Sequence, residues 1–185
     1  MSRIETVNPS EATGETREML DAIQQKLGMV PNIMRMFANS PKALAAFLGL
    51  FENIGQGVLD PKIGERIALA VGESNGCQYC VSAHTAIGQK AGLDREEIAN
   101  ARRGSSADPK ADAAVKLASS LNKSRGNITT VEFTQAKEAG LSDAEIVEII
   151  THVGLNFLNN VLSNSMQVKI DFPEVQLLNG IREAA

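Results

Sequence analysis

The sequence has few cysteines and few large aromatic residues, and it has no excess of positive charge. Its 185 residues include two cysteines, one tyrosine and no tryptophan, and the formal net charge is −4. Two cysteines are too few for the disulfide framework that holds a small secreted domain together. A mildly acidic chain also lacks the basic surface with which a general nucleic-acid binder contacts the phosphate backbone. We therefore expect neither a disulfide-stabilised domain nor a nucleic-acid partner.

Long apolar runs are missing as well. The most apolar stretch, residues 43–51, is about half as long as a bilayer-spanning helix requires. No secretory signal is visible at the start of the sequence, and neither end carries a lipidation signal. We therefore predict a cytoplasmic protein with no membrane partner. In a reducing cytoplasm, a close pair of cysteines is more often catalytic or metal-binding than structural.

The composition that remains is that of an ordinary globular protein. Hydrophobic residues make up 43% of the chain and charged residues 22%, and the length is ample for a single core. No low-complexity linker divides the sequence. We predict one domain over residues 1–185, with a C-terminal tail over residues 171–185 that packs onto another part of the protein or frays.

Helix-initiation signals recur along the chain. Ser40, Asp60 and Asp108 each stand directly before a proline, a combination typical of the cap and first position of a helix. Asp94 and Ser142 are each followed three residues later by glutamate, which predicts two capping boxes. Apolar residues follow these starts at spacings of three and four. With no convincing strand pattern between them, the starts predict an all-α fold.

The remaining segments are also predicted to be helical. We expect a helix from Ser10 to about Gly28, and a short helix that ends near Asn39. The last long helix is predicted to begin near Asp143 and to exceed twenty residues.

The two cysteines, Cys77 and Cys80, stand where a new helix begins after a stop signal at Asn75 and Gly76. The exposed N–H groups and positive dipole end of a first helical turn favour thiolate over thiol and so lower the pKa of a cysteine there. His84 follows Cys80 by four residues, which places both side chains on one helix face. A histidine in that position can take the thiol proton or stabilise the thiolate.

Glu65 is the residue that we expect to orient this histidine. In an unbroken helix, Glu65 would lie about 18 Å along the axis from Cys77. A turn before the cysteines instead folds the two helices into an antiparallel hairpin and brings Glu65 within about a turn of His84. We therefore predict a carboxylate–imidazole–thiol relay through Glu65, His84 and Cys80. Cys77 is then placed to condense with an oxidised Cys80 and close a disulfide.

Other uses of a cysteine pair fit the sequence less well. A closed zinc site needs four ligands, and His152 is the only further histidine. Covalent haem attachment needs a histidine directly after the second cysteine, where Val81 stands. A thioredoxin fold needs a βαβ pattern that is missing, although two simply buried cysteines remain an alternative. We predict neither a bound metal nor a cofactor.

The residues around the cysteines resemble the core motif of the alkylhydroperoxidase D and carboxymuconolactone decarboxylase superfamily. Four chemically distinct positions agree with that motif in identity and spacing, namely Glu65, Cys77, Cys80 and His84. They lie within the segments GERIALAV, NGCQYC and AHT. With its flanking helices the resemblance extends from about residue 31 to residue 169, which defines the predicted core of the domain.

This resemblance implies a fold, an assembly and an activity. The fold is a multi-helix orthogonal bundle of the alkylhydroperoxidase D-like type, which forms homo-oligomers, often trimers or hexamers. The activity is that of a thiol peroxidase, with Cys80 as the peroxidatic thiol, Cys77 as the resolving thiol, and Glu65 and His84 as the proton relay. The substrate is a hydroperoxide, and an external dithiol of the dihydrolipoamide or thioredoxin type is the reductant. Some family members have histidine where this chain has Tyr79, so the relay is expected to be simpler here.

The last helix adds a second group of candidate residues. A set of polar residues recurs at helical spacing among apolar residues, namely His152, Asn156, Asn159 or Asn160, and Ser163. Such a polar stripe must find partners, and it suits the lining of a substrate pocket or a contact between subunits. We select Tyr79, His152 and Asn156 as candidates for substrate binding.

The sequence therefore predicts a thiol-dependent hydroperoxide reductase that uses a Cys-x-x-Cys pair assisted by Glu and His. Two alternatives stay open. One is a lyase of the carboxymuconolactone decarboxylase type, a branch that generally lacks the cysteine pair. The other is an oligomer that senses redox state or binds metal without turnover.

Overall fold

The computed structural model describes residues 2–178 and contains, over that range, nine α-helices and no β-strand. This confirms the predicted all-α fold. The predicted tail lies only partly within the described residues, which end at Leu178. The helices are α1 (Gly14–Leu27), α2 (Asn32–Phe37), α3 (Pro41–Ile54), α4 (Pro61–Ser74), α5 (Gln78–Lys90), α6 (Arg95–Arg102), α7 (Pro109–Ser124), α8 (Thr130–Glu138) and α9 (Asp143–Met166).

The three proline-containing helix starts form as predicted. The side chains of Ser40 and Asp108 each accept the backbone N–H three residues on, and Asp60 accepts the N–H two residues on. Each proline occupies the first helical position, where its missing N–H costs no hydrogen bond. These starts depend on local chemistry alone, which is why the sequence predicts them correctly.

One of the two predicted capping boxes is wrong. At Ser142 the reciprocal box with Glu145 is present. At Asp94 only half of it forms, because the Asp94 carboxylate accepts the N–H of Glu97 but no return bond is made. The Glu97 carboxylate is instead bound by Arg66 of α4 and by the loop before α7. Partners from elsewhere in the chain thus outcompete the local cap.

Three predicted boundaries shift by a few residues. α1 begins at Gly14 instead of near Ser10, because the Asn8 side chain and carbonyl bind the next N–H groups in a separate turn. α2 ends at Phe37, two residues before the predicted end. Cys77 is the cap of α5 and lies just outside its first turn.

The central element of the fold is α4, which packs against α5, α6, α7 and α9. Nine of its fourteen residues are buried, so the helix is enclosed on nearly all sides. One side joins α7, α8 and α9 in an apolar cluster, and another contacts α6 through Leu69. A separate cluster is formed by α1–α3 with the start of α5, and both cysteines belong to it. The cysteines therefore lie between the α4 hairpin and the N-terminal helices.

After α9 the chain returns across α5 and the end of α4. We call residues 171–178 the C-terminal strap. The Val175 N–H donates to Ser82 of α5 at 3.0 Å, and the Leu178 N–H donates to Glu73 of α4 at 2.6 Å. Leu177 is buried between them. The described part of the predicted tail is thus packed against the body of the domain.

Candidate active site

The cysteine pair is held by the turn between α4 and α5. Gly76 makes this turn with a φ of 64°, a conformation in which an L side chain is strained. The Cys77 N–H then donates to the carbonyl of Gly72 at 2.8 Å, and the Cys77 sulfur accepts the N–H of Cys80 at 3.3 Å. The Cα atoms of Cys77 and Cys80 are 5.3 Å apart, and a disulfide joins the two sulfurs. The turn therefore positions both sulfurs at the positive end of α5.

Both cysteines are deeply buried. Cys77 is 0% exposed and Cys80 is 4% exposed. Of the two sulfur-bearing residues, Cys80 is the one with some access to solvent, while Cys77 is enclosed by the N-terminal helices.

Glu65 and His84 face each other across the same hairpin. The Glu65 Oε2 atom lies 2.8 Å from His84 Nδ1, and the two side chains are 19% and 17% exposed. A neutral imidazole that donates from Nδ1 keeps its free lone pair on Nε2. The carboxylate can thus fix the orientation of the ring. Within residues 2–178 no hydrogen bond joins His84 to Cys80, whose sulfur is 4.0 Å from Ser163 Oγ.

Tyr79, between the two cysteines, is buried, and its hydroxyl both donates and accepts a hydrogen bond. The hydroxyl donates to Asp171 of the C-terminal strap at 2.9 Å and accepts the N–H of Ile33 at 3.2 Å. Its ring meets Phe172 edge-on, with 5.9 Å between centroids. Burial raises the pKa of Tyr79 far above its usual range. The substrate contact predicted for Tyr79 stays a prediction, and the contacts present here link α2 and the strap to α5.

His152 lies beside the Glu65–His84 pair. Its ring packs on Gly64 so closely that a Cβ added to Gly64 would be 3.1 Å from His152 Cε1. Burial lowers the pKa of His152. The neighbouring Glu148 and then Glu65 act to raise this pKa, whereas His84 acts to lower it further. Because Gly64 directly precedes Glu65, this packing places His152 next to the predicted relay.

Asn156 lies one turn farther along α9 and is also buried. Its side-chain N–H₂ group donates to the His152 carbonyl at 2.8 Å. The polar stripe of α9 thus faces the interior of the domain, on the side of the cysteine hairpin. Substrate contacts by His152 and Asn156 remain predictions.

A group of amides fixes the cysteine turn from outside, and one of its members, Asn160, belongs to the predicted polar stripe. Asn75 donates to Asn160 at 2.8 Å and to Asn122 at 3.1 Å, and Asn122 donates back at 2.9 Å. Asn164 donates to the Asn75 carbonyl at 3.1 Å. We call these four residues the amide cluster. The sequence indicates only a helix stop at Asn75, and nothing local marks Asn122 as its partner.

In the part of the chain from Ser2 to Leu178, no group of three or more His, Cys, Asp or Glu side chains is placed to hold a metal ion. None of the helices described over that range combines the length and apolarity needed to cross a membrane.

Comparison with known proteins gives a family match and several structural relatives. Residues 41–120 match the family model described as the carboxymuconolactone decarboxylase family. A comparison with curated proteins gives no match.

The structural relatives share the whole fold at low sequence identity. An alkylhydroperoxidase AhpD core protein from Ralstonia eutropha JMP134, called peroxidase-related, superposes with a TM-score of 0.83 at 22% identity over 92% of each chain. A peroxidase-related protein from Silicibacter sp. TM1040 gives 0.80 at 22% identity over 91% of each chain. The debrominase Bmp8, in a complex with 2,3,4-tribromopyrrole, gives 0.78 at 20% identity over 92% of this chain and 94% of its own.

These matches confirm the predicted fold and the predicted family resemblance. The matched segment contains α3 to α6 and most of α7, so it includes the cysteine turn and both members of the Glu65–His84 pair. The chain has the alkylhydroperoxidase D-like fold, and its residues 41–120 are similar to the carboxymuconolactone decarboxylase family.

Proposed function

We propose that this protein reduces hydroperoxides with its cysteine pair. The observation that carries the proposal is the combination, on one hairpin, of two cysteines at a helix start and a histidine bound to a carboxylate at 2.8 Å. The helix start favours thiolate, and the carboxylate-bound imidazole can exchange a proton with the reacting groups. A site that served only to bury two small apolar side chains would need neither feature.

In the oxidative step, the Cys80 thiolate attacks the terminal oxygen of a hydroperoxide ROOH. A sulfur–oxygen bond forms, the oxygen–oxygen bond breaks, and the alkoxide leaves with a proton from protonated His84 as ROH. Cys80 is then a sulfenic acid. The Cys77 thiol attacks the sulfur of Cys80, and the sulfenic oxygen leaves as water with the thiol proton. The product is the disulfide in which the two residues stand here.

In the reductive step, an external dithiol attacks Cys80, the slightly more exposed member of the pair. Cys77 leaves as a thiolate, which the N–H of Cys80 and the dipole of α5 stabilise. A thiolate stabilised in this way is a good leaving group in disulfide exchange. The second thiol of the reductant then releases Cys80 and carries away the new disulfide.

The burial of the site favours a small or arm-like reductant. With Cys77 at 0% exposure and Cys80 at 4%, a thiol on the rigid surface of another protein cannot reach the disulfide unless the surroundings open. A slender dithiol such as dihydrolipoamide suits this access better than thioredoxin. We propose a cytoplasmic location for the protein, where such reductants recycle it.

The decisive test measures peroxide consumption with lipoamide or thioredoxin recycling, on the wild-type protein and on Cys80→Ser. We expect turnover by the wild type, faster with dihydrolipoamide, and none by Cys80→Ser. Oxidation of one equivalent without turnover would support a redox sensor, and zinc that copurifies would support a metal-binding protein. Absence of turnover with both reductants would refute the peroxidase proposal.

The same assay should include a brominated pyrrole as a competing substrate, because the fold is shared with the debrominase Bmp8. Release of bromide without peroxide turnover would favour dehalogenation. Decarboxylation of a lactone acid by Cys80→Ser would favour the lyase alternative, because that chemistry needs no thiol pair.

We also propose that the chain forms a homo-oligomer through α9. Apolar side chains at helical spacing are exposed on the side of α9 that faces away from the cysteines, and such a contiguous stripe is typical of an interface. We call it the α9 stripe, and it consists of Val147, Ile150, Leu158 and Val161.

Light scattering after gel filtration tests this assembly. Wild-type protein should give a trimer or a hexamer, and Val161→Glu should shift it towards the monomer. Val131, which is 65% exposed on α8, provides a matched control, and Val131→Glu should leave the assembly unchanged. Equal dissociation by both variants would argue against an interface at α9.

A further inference from the structure

A buried hydroxyl from a distant part of the chain contacts the cysteine that we take as the reacting one. Ser163 of α9 is 3% exposed, and its Oγ atom lies 4.0 Å from the sulfur of Cys80. A serine hydroxyl can donate one hydrogen bond, whereas a thiolate can only accept. Reduction of the disulfide therefore leaves Cys80 beside a donor that favours its anionic form.

The position of Ser163 is fixed by contacts at the end of α9 and at the cysteine turn. Its carbonyl accepts the N–H groups of Gln167 and Val168, which end α9. On the same face of the helix, Asn160 and Asn164 bind Asn75 in the turn that carries the cysteines. The end of α9 and the cysteine turn are thus joined directly, so the Ser163 hydroxyl is held at Cys80.

The side of α9 that faces the cysteines is polar but uncharged. Asn160 is 1% exposed, and its side-chain N–H₂ group is buried with no hydrogen-bond partner among residues 2–178. Its side-chain carbonyl oxygen accepts the hydrogen bond from Asn75. From Ile149 to Val168, α9 and its end carry no Asp, Glu, Lys or Arg. Neutral donors are therefore what this helix offers to an anion at Cys80.

We propose that Ser163 is a catalytic residue whose hydroxyl donates to the Cys80 thiolate and lowers the pKa of that thiol. This inference rests on the proposed function, in which Cys80 is the attacking thiol. Hydrogen bonds to an ionised acceptor are about twice as strong as neutral ones, so a single buried donor has a measurable effect. The other titratable groups around Cys80 come from several elements. Cys77, Tyr79 and His84 lie before or on α5, Glu65 lies on α4, His152 lies on α9, and Asp171 binds the Tyr79 hydroxyl.

The test measures the pKa of Cys80 in a Cys77→Ser background, where Cys80 is the only thiol. The readouts are the ultraviolet absorbance of the thiolate and the pH dependence of alkylation by iodoacetamide. We expect Ser163→Ala to raise the pKa of Cys80 by about one unit, which is a tenfold lower thiolate fraction below that pKa. Ser163→Thr, which keeps the hydroxyl, should restore most of the original value.

Ser165 provides the matched control, since it lies two residues on and on another side of α9. Ser165→Ala should leave the pKa of Cys80 unchanged. An unchanged pKa in Ser163→Ala, or an equal shift in Ser165→Ala, would overturn the inference. Should Ser163→Ala fail to fold, the pKa of Cys80 in Ser163→Thr provides the test. A value equal to that of the background protein supports the role of the Ser163 hydroxyl, and a value raised by about one unit contradicts that role.

The readout does not use peroxide, so this inference and the proposed function can fail separately. A wild-type protein without peroxide turnover removes the proposed function, while the pKa shift still identifies Ser163 as the thiolate donor. Conversely, turnover with an unshifted pKa keeps the peroxidase and removes the role of Ser163.

Discussion

Two carboxylates associated with α4 differ in the number of donors that hold them. Glu97 accepts hydrogen bonds from the Arg66 guanidinium, from Ser106 and from the N–H of Ala107. Glu65 is paired with one imidazole, that of His84. Both are mostly buried, so burial alone does not separate a structural carboxylate from a candidate catalytic one.

The difference lies in whether the negative charge is fixed. Burial on its own raises the pKa of Glu97, but hydrogen bonds from Ser106, Ala107 and other donors outweigh it and lower the pKa to about 2. A carboxylate held in this way cannot take part in proton exchange near neutral pH. Glu65 instead faces an imidazole, a group that can both donate and accept a proton, so we expect the pair to take part in the chemistry at Cys80.

The largest expected effect comes from removing the imidazole of this pair. We expect His84→Gln to slow the reaction of Cys80 with peroxide by about 10² to 10³-fold, because the proton donor for the leaving alkoxide is lost. Glu65→Gln should slow it less, since the ring remains but loses its orienting charge. Stopped-flow measurement of peroxide reduction checks both, with thermal unfolding as the control for stability. Equal rates in wild type and His84→Gln would show that the pair is structural, like Glu97.

The next effect is on stability and concerns Glu97. Glu97→Gln should lower the free energy of unfolding by about 2 kcal/mol, because it weakens several hydrogen bonds to a charged group. The rate of peroxide reduction per folded molecule should not change. Urea unfolding and the peroxide assay together check this, and a loss of activity at unchanged stability would contradict the contrast between the two carboxylates.

The same residue predicts an acid dependence. The pKa of Glu97 is lower in the folded protein, about 2, than its ordinary value of 4.5. Its contribution to stability is therefore complete above pH 4.5 and is lost as the pH falls from there towards 2. Urea unfolding at a series of pH values should show a shallower loss of stability in Glu97→Gln than in the wild type over this window.

A smaller effect is expected at Tyr79. Tyr79→Phe removes the hydroxyl that binds Asp171 and the Ile33 N–H, and should cost about 1 to 2 kcal/mol of stability. Hydrogen exchange at Val175 and Leu178 should become faster, because the C-terminal strap is held less firmly. A raised KM for peroxide without faster exchange would instead support the predicted substrate contact.

The smallest expected effect concerns His152, whose pKa is lowered by burial. A folded-state pKa below the ordinary value of 6.5 means that stability is complete above pH 6.5 and declines as the pH falls through the folded-state value. His152→Gln should remove this contribution while filling most of the space beside Gly64. Thermal unfolding between pH 7 and 5 compares the two proteins, and identical slopes would contradict the prediction.

Local chemistry explains what the sequence predicts correctly. Ser40, Asp60 and Asp108 find their partners within three residues, so the helix starts are independent of the rest of the fold. The Glu65–His84 proximity follows from one turn, because a hairpin leaves two helices few ways to align. The catalytic roles of these residues remain predictions that only chemistry can test.

Long-range competition explains what the sequence does not predict. The expected capping box at Asp94 is incomplete because Arg66, 31 residues before Glu97, binds that carboxylate. The contact between Cys80 and Ser163 spans 83 residues. Such pairs depend on how α9 and α6 dock on α4, and no spacing within a single helix encodes that docking.

The sulfur of Cys77 has a consequence for how the protein should be mutated. Because it caps α5, Cys77→Ala removes a resolving thiol and a helix cap together. Serine is among the best capping residues, so Cys77→Ser removes the thiol while preserving or strengthening the helix start. A defect seen in the alanine variant but not in the serine variant is caused by the loss of the helix cap. A defect seen in both variants is caused by the loss of the thiol.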